Sequence, residues 1–173
     1  MRLTQLLEHL EYEVVKGNHE IEVTELINDS RKVTPGCVFV CISGAVSDGH
    51  EYAGEVGAKG AKALITEKEV EALEDVTVIR VKDTRYALAL MSAAYFGYPA
   101  DKLKIIGITG TKGKTTTTYM VKSILEGVGH KVGLIGTIEA IIGDKSIPAN
   151  NTTPESYTIH QYFAEMVKAG CDS

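Results

Sequence analysis

The chain has 173 residues, 44% of them hydrophobic, with 18 Lys and Arg against 23 Asp and Glu and a net charge of −5. That length holds one or two domains with a sizeable core. The acidic balance, with no basic block, argues against broad binding to a nucleic-acid backbone and leaves room only for a focused anion site.

The N-terminal stretch MRLTQLLEHLEYEVV carries Glu8, Glu11 and Glu13 and lacks the apolar core of a signal peptide. No apolar run approaches the roughly 18 residues of a membrane span. The expectation is a cytoplasmic protein with neither membrane nor nucleic acid among its partners. Residues 1–20 are expected to hold a short amphipathic helix with Leu3, Leu6, Leu7 and Leu10 on one face. IEVTELI (21–27) alternates and reads as a strand. DSRKVTPG (29–36) reads as a loop, CVFVCI (37–42) as a buried strand, and SGAVSDGH (43–50) as a second polar loop. A helix is expected within 51–61, a short strand at ALIT (63–66) and another at VTVIRV (76–81). The clearest helix runs from Asp83 to Gly97, with Asp83 or Thr84 as cap and Pro99 preventing a restart.

Three cysteines occur, at 37, 41 and 171. Four residues of strand separate Cys37 from Cys41 by about 13 Å, while a disulfide needs Cα atoms within roughly 7 Å. No zinc-ligand spacing accompanies them, so they read as buried free thiols.

After Tyr98 the pattern changes to strand, Gly-rich turn, helix, strand: KIIGIT, GTKGK, TTTTYMVKSILEGV, KVGLIGT. This implies a βαβ unit in a parallel sheet and sets a domain boundary near 98/99. A hairpin is expected within 138–149 around IIGDKSI, then a polar loop, NNTTPES (150–156), then a helix from about Ser156 to Gly170.

The turn carries the chemistry. Glycines at 107, 110 and 113 let the backbone bend tightly and approach a ligand. Successive N–H groups form an anion nest, and the helix behind aims its positive end at the same place. Lys114 adds a full charge within reach of β- and γ-phosphates, the Thr115 hydroxyl stands where Mg²⁺ is ligated, and Thr116 can bond a phosphate. The turn departs from the common phosphate loop in having Gly107-Ile108 where a glycine at 108 is usual.

The run G-I-T-G-T-K-G-K-T-T resembles the phosphate loop GTNGKTT of the Mur ligase and folylpolyglutamate synthetase superfamily, with Lys112 in place of the usual Asn. The stretch from Asn28 to Ile65, with DSR, PG, a Gly before DGH and then GA, resembles the UDP-binding domain of two Mur ligases. One of these adds the third residue to the peptidoglycan precursor and the other adds the terminal dipeptide. NTTPES resembles the substrate loop of the third-residue ligase. The resemblance spans nearly the whole chain.

It implies an α/β protein: a small UDP-binding domain over 1–98, then over 99–173 the start of a mostly parallel-sheet ATPase domain. It further implies ATP-dependent ligation of a diamino acid, meso-diaminopimelate or L-lysine, to UDP-N-acetylmuramoyl-L-Ala-D-Glu through an acyl phosphate, with ATP and Mg²⁺ as cofactors. The dipeptide-adding ligase and a non-catalytic nucleotide-binding module are the alternatives. Position by position, Asn28, Ser30, Ala45, Val46 and Ser47 match the UDP site. Gly110, Thr111, Lys112, Gly113, Lys114, Thr115 and Thr116 match the ATP loop, with Lys114 the catalytic candidate and Thr115 the metal candidate. Asn151, Thr152 and Thr153 match residues that hold the muramoyl-peptide. The resemblance makes His50 part of a structural loop. The chain is expected to be an N-terminal piece of the ligase, inactive alone, with the remaining metal ligands and the amino-acid pocket beyond Ser173. A monomer is expected for the full-length protein.

Overall fold

The computed structural model describes residues 1–44, 47–149 and 153–173, and the chain divides into two units, Met1–Tyr95 and Phe96–Ser173.

The first unit is built on a five-stranded sheet in the order β1-β5-β4-β3-β2. Its strands are β1 (Tyr12–Lys16), β2 (Leu26–Ile27), β3 (Val38–Val40), β4 (Ala63–Thr66) and β5 (Thr77–Val81). β2 to β5 are mutually parallel, with Val38 opposite Ala63 and Ile65 opposite Ile79. Parallel strands covered on both faces read as continuous apolar runs, and all of β3 and β4 is buried. Cys37, Phe39, Cys41 and Leu64 pack with Ala53 and Val56 of α2 (Ala53–Ala58). The alternate positions turn to the other face, where α1 (Leu3–Leu6) and α3 (Thr84–Tyr95) pack.

All three cysteines are free and buried. Burial pushes the Cys41 thiol up to about 12 and raises that of Cys37 as well.

The N-terminal segment departs from expectation. Leu3, Leu6 and Leu7 are buried, but the helix stops at Leu6 and Tyr12–Lys16 is an edge strand antiparallel to β5. Its side chains are largely exposed, so no burial alternation marks it in the sequence. Pairing with β5 decides it, aided by cross-strand ion pairs of Glu13 with Arg80 and Glu11 with Lys82.

The second unit contains α4 (Lys114–Gly127), a three-stranded antiparallel sheet β6-β7-β8 (Leu134–Ile135, Glu139–Ile142, Lys145–Pro148) and α5 (Ser156–Lys168). The hairpin turns at Gly143, which takes φ +58°, and α5 is followed by Gly170 at φ +79°. Leu103, Ile142, Met166 and Cys171 form its core.

The expected parallel βαβ pairing is not formed. Residues 104–110 lie outside any strand, and β6 pairs antiparallel with β7. The Lys104 N–H donates to the Asp172 carbonyl, Asp172 N–H to Lys131, and Gly133 N–H to Ser173. Residues 172–173 therefore sit between the two segments that the sequence pattern pairs. A strand gains stability only from a hydrogen-bonded neighbour; without one, Ile105 and Ile106 stay more than half exposed. α4 likewise buries no residue. The Tyr119 hydroxyl ties it to β7 by donating to Glu139, whose carboxylate also accepts from Ser146.

Candidate functional site

In the second unit, Gly113 is the N-cap of α4 and takes the left-handed conformation (φ +78°), which favours glycine. As a glycine it offers no capping side chain of its own. The first-turn N–H groups have no intrahelical acceptors, so they face the turn with the positive end of a 14-residue helix behind them. The contrast with α3 is informative. There Asp83 accepts from the Tyr86 N–H (2.9 Å), and Glu67 accepts from both the Thr84 N–H (2.6 Å) and its hydroxyl (2.8 Å).

Lys114 folds back across the turn, and its Nζ donates to the Gly110 carbonyl at 2.6 Å. The ammonium and the helix amides thus converge on residues 110–113. Thr111, Lys112 and Gly113 are exposed, and Thr116 lies exposed in the first helical turn. A helix start with glycine at its cap, that glycine's left-handed conformation and an inward-folded lysine fit a polyphosphate, with the Thr115 hydroxyl available to its counter-ion.

A cavity of about 330 Å³ opens beside this turn. Lys114, Thr115 and Thr118 line it together with Thr137, Thr153 and Pro154, over an apolar floor that includes Ile108 and Phe163. The structure therefore gathers Lys114 and Thr115 of the Gly-rich turn and Thr153 of the NTTPES stretch around one space, although nearly forty positions separate them. Asn151 and Thr152 lie outside the described residues.

In the first unit, Asn28 and Ser30 follow β2 and Ser47 lies in the loop after β3. These are the carboxyl ends of adjacent parallel strands, where open α/β sheets bind ligands. Ser30 begins a short 3₁₀ turn, Ser30–Lys32, capped by Asp29. Asp29 accepts from the Arg31 guanidinium through both oxygens (2.9 and 2.8 Å), and this pairing holds its carboxyl at about 2. Lys59 Nζ donates to the Ser30 carbonyl at 3.1 Å. Asn28 and Ser30 are half-buried and Ser47 is exposed. Ala45 and Val46 lie outside the described residues.

The model of the Mur ligase family, catalytic domain, matches residues 22–96, and that of the Mur ligase middle domain matches 108–173. The UDP-N-acetylmuramoyl-L-alanyl-D-glutamate--2,6-diaminopimelate ligase of Clostridium perfringens is 54% identical over 172 residues, 99% of this chain and 36% of that protein. The chain belongs to the Mur ligase family.

Among solved structures, a UDP-N-acetylmuramoyl-L-alanyl-D-glutamate--2,6-diaminopimelate ligase matches this Mur ligase chain with TM-score 0.78 at 21% identity. It covers 99% of this chain and 34% of that one, a likeness of fold. MurF from Acinetobacter baumannii matches with TM-score 0.56 at 26% identity, covering 94% and 32%. The Mur ligase chain spans about a third of the length of the relatives it matches.

Sequence reasoning missed Thr137 and Thr118, which line the same cavity as Lys114. Thr137 had a signal: the Gly136-Thr137 pair ends KVGLIGT, and a like Gly110-Thr111 pair directly follows KIIGIT. Thr118 had none beyond its helical spacing from Lys114 and Thr115. His130 is paired through Nδ1 with Asp172 (3.0 Å).

Proposed function

We propose that this chain supplies the UDP-substrate-binding and ATP-binding portions of a ligase that joins a diamino acid to UDP-N-acetylmuramoyl-L-Ala-D-Glu. The observation that carries the reading is the convergence of Lys114, Thr115 and Thr153 on one cavity. A phosphate-holding turn and a candidate muramoyl-peptide loop facing the same space is what transfer of a phosphoryl group to a substrate carboxylate requires. The names of the relatives support 2,6-diaminopimelate over L-lysine as the amino acid.

ATP, bound with Mg²⁺, would supply the γ-phosphoryl group that activates the D-Glu γ-carboxylate as an acyl phosphate, with ADP leaving; the incoming amine would then attack the acyl carbon and displace phosphate to form the amide. The chain's own groups do the positioning. Lys114 and the amides of residues 110–116 hold and neutralise phosphate charge. Thr115 offers a hydroxyl ligand to the metal, and Thr153 orients the muramoyl-peptide. Asn28, Ser30 and Ser47 hold the uridine diphosphate end, with Ala45 and Val46 in the same loop, and Asn151 and Thr152 act beside Thr153. Residues 1–98 form the UDP-binding part and 99–173 the opening of the ATPase part.

The test is phosphate release by the full-length ligase carrying this chain. Release should require ATP, UDP-N-acetylmuramoyl-L-Ala-D-Glu and 2,6-diaminopimelate together. Turnover instead with UDP-N-acetylmuramoyl-tripeptide and D-Ala-D-Ala would replace this reading with the dipeptide-adding reaction.

A further inference from the structure

The loop after β3 carries Ser47, one of the proposed UDP contacts, and its base is tied down by groups from the end of β4. Ser43 and Asp48 form an isolated antiparallel bridge across the loop base. The Gly44 N–H donates to Ser47 O and the Gly49 N–H to Ile42 O, both at 2.9 Å. Asp48 is the hub. Its Oδ1 accepts from the Ser43 hydroxyl (3.1 Å), the His50 N–H (3.1 Å) and His50 Nδ1 (2.5 Å), and its Oδ2 from Lys68 Nζ (2.6 Å).

His50 is fixed from the far side. The Glu67 N–H donates to its Nε2 at 3.0 Å. A backbone N–H can only donate, so the ring proton is on Nδ1 and is given to Asp48. Both ring nitrogens are thereby engaged in holding the loop, and the ring is buried, with 6% of the side chain exposed. Glu67 and Lys68 directly follow β4, and the Glu67 carboxylate caps α3. The loop after β3 is thus bolted to the end of β4 and, through Glu67, to the start of α3.

We infer that Asp48, His50 and Lys68 are positioning residues that hold the Ser43–Asp48 loop base, and with it Ser47, in the shape that receives the nucleotide diphosphate end of the substrate. The inference rests on the UDP reading of this strand end. Its physical basis is preorganisation: a loop held in its binding shape loses less conformational freedom when ligand arrives. Lys68 is the revealing member. Its side chain is 55% exposed, and an exposed ion pair adds little to global stability, so its effect falls on the loop it holds.

The test uses the 173-residue chain, ¹⁵N-labelled, titrated with UDP and followed by amide shifts, with Lys68→Met, Lys68→Arg, Asp48→Asn and Ser30→Ala beside the wild type. Lys68→Met should weaken UDP binding about fivefold, the order expected of one hydrogen bond. It should speed hydrogen exchange at Gly44 and Gly49 about tenfold while leaving the melting temperature within about 3 °C. Lys68→Arg should restore both, and Asp48→Asn should exceed Lys68→Met in each. Ser30→Ala should weaken binding without changing exchange at Gly44 or Gly49. Weaker binding in Ser30→Ala with Lys68→Met and Asp48→Asn matching the wild type overturns the positioning role alone. No UDP binding by the wild type, or binding unaffected by Ser30→Ala, overturns the UDP reading and the role built on it. A Lys68→Met variant that melts far below the wild type shows a merely structural residue and also overturns the inference.

Discussion

Lys114 Nζ donates at 2.6 Å to the carbonyl of Gly110, four residues earlier, and so closes the Gly-rich turn over itself. A lysine at the first position of an exposed helix ordinarily extends into solvent; here its charge is held at the turn that precedes α4, whose cap residue is Gly113.

That placement makes Lys114 the first residue to test. In the full-length ligase, Lys114→Ala should lower turnover by about two orders of magnitude or more, as loss of other preorganised charges does. Phosphate release at saturating ATP reports it. Activity near that of the wild type would remove Lys114 from the chemistry.

Gly49 answers a different demand, close backbone approach. A Cβ added there would stand 2.7 Å from the Ile42 nitrogen and 3.1 Å from the Cys41 Cα, backbone atoms that cannot swing aside. Gly49→Ala should cost about 1–3 kcal/mol. Gly54→Ala, in α2 with its nearest neighbour at 3.8 Å, should be neutral or stabilising by up to about 1 kcal/mol. Thermal or urea unfolding of the pair decides; equal losses would mean that steric approach is not what fixes Gly49.

Acid should undo the Asp29–Arg31 pairing in a defined window. The Asp29 carboxyl is lowered from 3.8 to about 2 in the folded chain, chiefly by its hydrogen bonds with Arg31. A carboxyl depressed on folding stabilises fully above its unfolded value and loses that contribution as pH falls through the folded one. The wild type's advantage over Asp29→Asn should therefore be constant above about pH 5 and shrink between about pH 4 and 2. It should amount to no more than about 1 kcal/mol, because the Arg31 side chain is 87% exposed. Urea melts at pH 6, 4 and 2 measure it, and an advantage that grows on acidification would contradict the pairing.

The thiols of Cys37 and Cys41 should resist reagents in the folded chain. Both are fully buried and burial raises both thiols, Cys41 to about 12; the thiolate is the reactive form. At pH 8, labelling by a disulfide reagent should be about 100-fold slower than in denaturant. Rapid native labelling at either position would show that this face of the sheet opens.

Much of this protein was legible in its residues because the signals were local. The apolar runs at 37–42, 63–66 and 76–81 gave strands wherever both faces are covered. Asp83 and Gly97 bracketed α3, and the glycines around Lys114 marked a turn before a helix. Three separated motifs carried the resemblance to the Mur ligase family; of these, the Gly-rich turn also answers to phosphate chemistry in its own residues.

What needed the tertiary structure was every relationship between distant segments. Tyr12–Lys16 is a strand because β5 lies beside it, and Lys104–Gly110 is not one because no strand among the described residues pairs with it. Hydrogen bonding between strands is a property of the pair, so a single segment's residues cannot settle it. The same holds for the sites. Sequence could nominate Lys114 and Thr153 separately, but only the fold puts them on one cavity with Thr137. It could find His50 but not its partners, because Glu67 and Lys68 come to it through the parallel crossover that lays β4 against β3.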